Sequence, residues 1–333
     1  MLPDDPRPIA APGPVAPPVP VVRDPFPDAP AARLTGPAER QRYSPLLTAL
    51  LGGFLAFVVF QTVALVAMGV LLATGGGLTS ADPDALAALM AERVDTVFGA
   101  NAIGQILGLG LVTLALTRLH TPDVRAYLRI GRADPAFLAL SGAGLFALMP
   151  FVSWLGALAK HIPLPEAVRA WDAQQAALVS QILAGDVTLW LALLFVALTP
   201  AICEEVLFRG FIQRNVERRF GVVTSLFLVG LAFGAFHLRL GEIVPLTVLG
   251  VYLAYVVWVS GSLWPGVLVH LLNNGAAVVA SNYAAGRPDP IALDEVAVPW
   301  YLAFAGLGLA LGLIAVMQRR REAALAPAAL PSP

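Results

Sequence analysis

Two adjacent carboxylates, Glu204 and Glu205, close one of the most apolar stretches of this chain, Leu189 to Cys203. Two of the four histidines, His237 and His270, lie inside later stretches of the same kind. An acid or an imidazole within a membrane span is costly and is read as a functional site by default. Where such groups converge they can activate a water molecule inside the bilayer.

Glu205 and Arg209 stand at i and i+4, the favoured order for a helical ion pair. That pairing holds Glu205 ionised and occupied. Glu204 projects about 100° away around the helix, which leaves it for a different neighbour and makes it the better candidate general base. Pro200 removes a helix hydrogen bond and can bend the helix just before the acids. Taken alone, the two acids also suit a helix end at the membrane surface. Phe233 and His237 share one helix face, although a lone histidine near a helix end is more often a hydrogen-bonded structural group. His270 and Asn274 lie one turn apart. Two donors on one face can hold a developing oxyanion, or make an interhelical hydrogen bond with no chemistry. His120 and His161 read as surface groups. Cys203, the single cysteine, excludes an internal disulfide framework and reads as packing beside the acids.

The elements that must position these groups are set by composition. Of 333 residues, 58% are hydrophobic and 13% charged, against roughly a quarter charged in soluble domains. The expected class is an all-α, polytopic transmembrane helix bundle of about eight helices. A net charge of −1 gives no footprint for nucleic acid. A span needs about 20 mostly apolar residues, and the candidates are 46–74, 97–117, 136–159, 187–208, 222–239, 243–260, 263–282 and 299–318. The sixth and seventh are split only by Gly261 and Ser262. Arginines alternate with the spans: Arg33, Arg40 and Arg42 precede the first, Arg214, Arg218 and Arg219 follow the fourth, and Arg319, Arg320 and Arg321 follow the last. That pattern predicts an even number of spans with both termini in the cytoplasm. One lysine and abundant alanine point to a high-GC bacterium, hence a bacterial cytoplasmic membrane.

The expected organisation is a disordered Pro/Ala-rich tail over 1–42, amino-terminal helices over 43–186, core helices over 187–282, a loop and final helix over 283–321, and a second disordered tail over 322–333. No signal peptide opens the chain. Ala85–Met90 and Pro165–Ile182 read as interfacial amphipathic helices or packed loop helices. Gly104-x-x-x-Gly108 and Gly308-x-x-x-Gly312 permit close helix contact.

Glu204-Glu205-x-x-x-Arg209, Phe233-x-x-x-His237 and His270-x-x-x-Asn274 occur in that order on three separate spans. Together they make residues 187–280 resemble the CAAX-protease and bacteriocin-processing family (CPBP, or Abi) of intramembrane proteases, relatives of the type II CAAX prenyl endopeptidase. The amino-terminal half matches only in being hydrophobic. The resemblance implies an endopeptidase with Glu204 and His237 as the water-activating pair and His270 and Asn274 as the oxyanion-stabilising pair. Glu205, Arg209 and Phe233 are supporting members. It leaves the cofactor open between none and Zn2+ held by Glu204, His237 and His270. The implied partners are a peptide or membrane-protein substrate and the lipid bilayer. No Gly-x-Ser-x-Gly or His-Glu-x-x-His is present, which disfavours serine hydrolases and soluble zincins. The competing readings are a proton- or ion-coupled transporter and a non-catalytic scaffold or immunity protein.

Overall fold

A computed structural model describes residues 19–26, 29–74, 83–184, 188–285 and 298–326. The chain is an all-α bundle. A two-residue β-ribbon, β1 (Val21–Val22) with β2 (Ala32–Arg33), and the short helix α1 (Pro37–Arg40) precede it. The bundle then runs α2 (Pro45–Thr74), α3 (Pro83–Glu92), α4 (Val94–Arg118), α5 (Val124–Tyr127), α6 (Pro135–Ala159), α7 (Glu166–Ala184), α8 (Leu189–Phe220), α9 (Val222–Phe236), α10 (Ile243–Ser260), α11 (Trp264–Ala285) and α12 (Trp300–Leu325). Six helical segments among the described residues are long and apolar enough to cross a membrane, while α9, with 15 residues, is shorter. The expected eight spans thus become six long ones plus α9 and α11. In α11, His270, Asn273 and Asn274 interrupt the apolar run. The two segments read as interfacial form α3 and α7, neither of which is among the six.

Burial orders the layers. The most apolar windows of α2 and α12 are 17% buried, whereas that of α8 is 61% buried. The helix with the two acids is therefore central, and the first and last long helices face outward with side chains such as Phe54, Leu65 and Leu309 exposed. Close backbone approach sets several contacts. A Cβ on Gly108 would lie 2.3 Å from the Phe60 backbone, and one on Gly250 would lie 2.8 Å from the Gly230 carbonyl oxygen. The same Gly-x-x-x-Gly spacing at Gly308 and Gly312 meets nothing within 4 Å. Gly108→Ala is expected to cost about 1–3 kcal/mol through overpacking, and Gly312→Ala close to nothing. Thermal unfolding in detergent micelles measures both, and equal midpoints for the two variants would refute the packing argument.

Three boundaries differ from the sequence expectation. The fourth span does not end at 208: α8 continues to Phe220, because Gln213, Arg214 and Asn215 are buried against other chain segments. The last helix reaches Leu325 rather than 318, with Arg321 held between the rings of Phe26 and Trp258. The short split between the sixth and seventh spans is a true reversal, since Gly261 takes the left-handed conformation at φ 66°, which glycine adopts without steric cost.

The amino-terminal tail is the largest correction. Residues 1–18 lie outside the described residues, but 19–26 and 29–42 are folded onto one end of the bundle. Asp24 is buried and accepts hydrogen bonds from both Arg129 and Arg214. Burial works against the charge on Asp24, and the two guanidinium groups outweigh it, so its carboxyl is held well below the usual carboxylate range. Proline-rich composition predicted solvated backbone; a single buried acid between two arginines from distant segments overrides it. At the carboxyl end, residues 322–325 belong to α12, and 327–333 fall outside the described set.

His120 is likewise not a surface group. It is 1% exposed, and its Nδ1 meets Glu39 Oε1 at 2.6 Å. Arg218 donates to both oxygens of the same carboxylate at 2.8 Å. Burial opposes ionisation of Glu39, yet the bonds from His120 and Arg218 lower it from its ordinary 4.5 to about 2. Because the folded value lies below the ordinary one, this stabilisation is complete above 4.5 and is lost as pH falls towards about 2. Glu39→Gln is therefore expected to flatten the dependence of the unfolding midpoint on pH across that window. An unchanged slope would refute it. His161 is exposed, and its Nδ1 bonds to the Ala157 carbonyl oxygen.

Candidate active site

The long α8 explains how residues on antiparallel helices meet. Counting about 1.5 Å per residue, Phe220 lies roughly 24 Å beyond Glu204. After the turn at Gly221 (φ 77°), α9 returns roughly 22 Å to His237. The two positions therefore share a depth in the bundle. A span ending at 208 would have put them at opposite faces.

Pro200 shapes the approach to the acids. It has no N–H, so the carbonyl of Val196, four residues earlier, loses its helical partner. Residues 193–198 are π-helical, and Thr199 Oγ1 donates to the Leu194 carbonyl oxygen at 2.8 Å. The Val196 oxygen accepts instead from Asn274 Nδ2 at 3.1 Å. A second π-helical stretch, 206–212, follows immediately after Glu205. Such bulges are frequent at functional sites.

Glu205 and Arg209 form a fully buried pair, both 0% exposed, with Arg209 Nη1 donating to Glu205 Oε1 at 2.7 Å. Arg209 Nη2 donates to the Gly250 carbonyl oxygen at 3.1 Å, and its guanidinium carbon lies 4.4 Å from the Phe233 ring centroid. His270 Nδ1 donates to the same Glu205 Oε1 at 2.9 Å. Gly266, one turn before His270, makes room for this contact: a Cβ there would lie 2.8 Å from Glu205 Oε2.

Glu204 is 7% exposed and points elsewhere. Its Oε2 accepts no hydrogen bond from the described residues and lies 4.0 Å from His270 Nε2. The His270 imidazole is therefore wedged between the two acids, one nitrogen on each. Phe233 packs edge-on against both histidines, with centroids 4.8 Å from His237 and 5.7 Å from His270. His237 is half-buried and its Nδ1–H donates to the Phe233 carbonyl oxygen at 2.8 Å. Since a carbonyl only accepts, the neutral ring carries its lone pair on Nε2. Asn274 Oδ1 accepts from Asn273 Nδ2 at 3.1 Å, so Asn274 keeps one amide N–H beyond the one given to Val196.

The structure thus brings Glu204, Glu205, Arg209, Phe233 and His270 into one cluster. His237 joins it through Phe233, and Asn274 borders it through α8. Among the described residues, no group of three or more His, Cys, Asp or Glu side chains is placed to hold a metal ion. The set Glu204, His237 and His270 is not assembled as a zinc site: His270 Nδ1 is committed to Glu205 and its Nε2 stands 4.0 Å from Glu204. No chemistry is routed through a metal here.

Asn273, Gly266 and the Gly250 carbonyl were not foreseen as parts of the site. Asn273 had a signal in its position directly before Asn274. The other two act through backbone or through a missing side chain, which no side-chain motif reports. Residues 186–276 match the family model described as type II CAAX prenyl endopeptidase Rce1-like, in agreement with the resemblance to the CPBP proteases. No curated protein and no solved structure matches the chain.

Proposed function

We propose that this chain, Rce1-like over residues 186–276, is a membrane-embedded endopeptidase in which Glu204 activates a water against a peptide carbonyl. The observation that carries the reading is the 4.0 Å approach of His270 Nε2 to the unpartnered Glu204 Oε2. A water can sit against both atoms, off their axis. His270 Nδ1 is held on Glu205, which aims Nε2 at the reacting groups; the step below takes that nitrogen as a donor.

In the reaction, Glu204 takes a proton from the water as the water oxygen bonds to the carbonyl carbon. Negative charge moves to the carbonyl oxygen, where His270 Nε2–H and the second N–H of Asn274 donate to it. Protonated Glu204 then gives its proton to the departing amine as the C–N bond breaks, which regenerates the carboxylate. His237, its ring oriented by the Phe233 carbonyl, accepts from the same water through Nε2. Residues 187–282 make up the catalytic core of this reading, with 43–186 and 283–321 flanking it in sequence. The substrate is a peptide or a membrane-protein segment, and the arginine-rich end with both termini faces the cytoplasm.

Hydrolysis of a reporter peptide by the purified full chain, in detergent and in liposomes, tests this. His237→Ala and Asn274→Ala are each expected to lower kcat about 100-fold, with the unfolding midpoint near that of the parent for His237→Ala and somewhat lower for Asn274→Ala, which leaves the Val196 carbonyl without its donor. Proton flux across the liposome membrane without cleavage would establish the transport reading instead. Neither activity would leave the scaffold reading.

A further inference from the structure

The turn after His237 is held from outside the catalytic helices. Helix α9 ends at Phe236, and the next residue, His237, returns its Nδ1–H to the Phe233 carbonyl oxygen. Leu238, two residues on, takes φ 54°, a left-handed conformation that is sterically unfavourable for a residue with a Cβ. A strained residue persists only where its surroundings over-determine it. Here α7 supplies the restraint. Trp171 Nε1–H donates to the Leu238 carbonyl oxygen at 2.9 Å, and Asp172 Oδ2 accepts from the Gly241 N–H at 2.7 Å. The two bonds grip residues 238 and 241 from one helix and fix the turn on either side of Arg239 and Leu240. An open apolar groove of about 490 Å³ runs between the two segments, lined by Trp171, Val168, Gly234, Ala235 and Leu238 among others.

We infer that Trp171 and Asp172 are positioning residues for His237: they hold the left-handed turn that ends α9, and so keep the His237 ring against Phe233 with its Nε2 towards the reacting water. The inference rests on the role given to His237 above. Each latch bond corresponds to a several-fold effect on rate.

The test uses the full chain in liposomes with the reporter peptide. Trp171→Phe keeps the ring and loses only the donor. Asp172→Ala loses the acceptor, and Asp172→Asn retains an oxygen that can accept from Gly241. Trp171→Phe and Asp172→Ala are expected to lower kcat about 5-fold each at unchanged KM. Asp172→Asn should restore most of the rate. Parental kcat in both latch variants, with His237→Ala inactive, overturns the inference and leaves the endopeptidase reading standing. A loss that falls on KM instead of kcat, or that Asp172→Asn does not rescue, also overturns it, because that outcome marks a contact that does not position the reacting groups. Undiminished cleavage by His237→Ala overturns both the inference and the role given to His237.

Discussion

Glu204→Gln is expected to remove peptide cleavage, lowering kcat about 1,000-fold, while leaving the protein as stable as before or more so. Glutamine matches glutamate in volume but cannot take a proton from water. The stability half follows from the surroundings of the carboxylate. Glu204 Oε2 is buried without a hydrogen-bond partner among the described residues, so the substitution breaks no observed bond at that atom and removes a buried charge. A residue kept at a cost to stability is the usual mark of a site selected for activity. Cleavage of the reporter peptide and the unfolding midpoint in detergent, measured on one preparation, check both halves. A variant that cleaves within tenfold of the parent would remove Glu204 from the role of general base.

Arg209→Met is expected to have the opposite profile, a large loss of stability. The substitution keeps the side chain long but removes its charge, and it leaves Glu205, 0% exposed, without its guanidinium partner. Breaking a buried pair from one side costs about 3–5 kcal/mol, because the remaining charge is stranded. The Gly250 carbonyl loses a donor, and the Phe233 ring loses the guanidinium packed on its face. Lysine is a poor replacement, since its single ammonium cannot reproduce a planar fork that reaches Glu205 and Gly250 together. Removing both charges, by Glu205→Leu with Arg209→Met, is expected to recover part of the loss even though His270 Nδ1 then has no acceptor. Thermal unfolding of the three variants gives the comparison. A double variant less stable than Arg209→Met would show that the stranded carboxylate is not the cause.

Local spacing was legible wherever one helix turn decides the outcome. Glu205 and Arg209, four apart, meet as the helical repeat requires. The same logic failed wherever a partner comes from a distant segment. His120 and His161 look alike in sequence, each near the end of a span and beside a basic residue. One is buried because Glu39, 81 residues away, reaches it; the other is exposed and bonds to Ala157 of its own helix. Gly104-x-x-x-Gly108 and Gly308-x-x-x-Gly312 have identical spacing, yet among the described residues the first pair meets helix α2 and the second meets nothing within 4 Å. The prolines of the amino-terminal segment argued for solvated chain, and the buried contacts of Asp24 with Arg129 and Arg214, 105 and 190 residues away, outweigh that preference.

By itself the sequence determined that the chain is an all-α membrane bundle. It also determined which polar groups are carried into it, because apolar runs of span length and i, i+4 pairs depend only on helix geometry and the expense of polar atoms in lipid. The tertiary structure alone decided that α8 runs on past the apolar run to Phe220, so that His237 returns to the depth of Glu204. It alone decided that His270 stands between the two acids, and that Asn274 serves the carbonyl freed by Pro200. These outcomes turn on where a helix stops and which backbones can approach, and both are set by contacts between residues far apart in the chain.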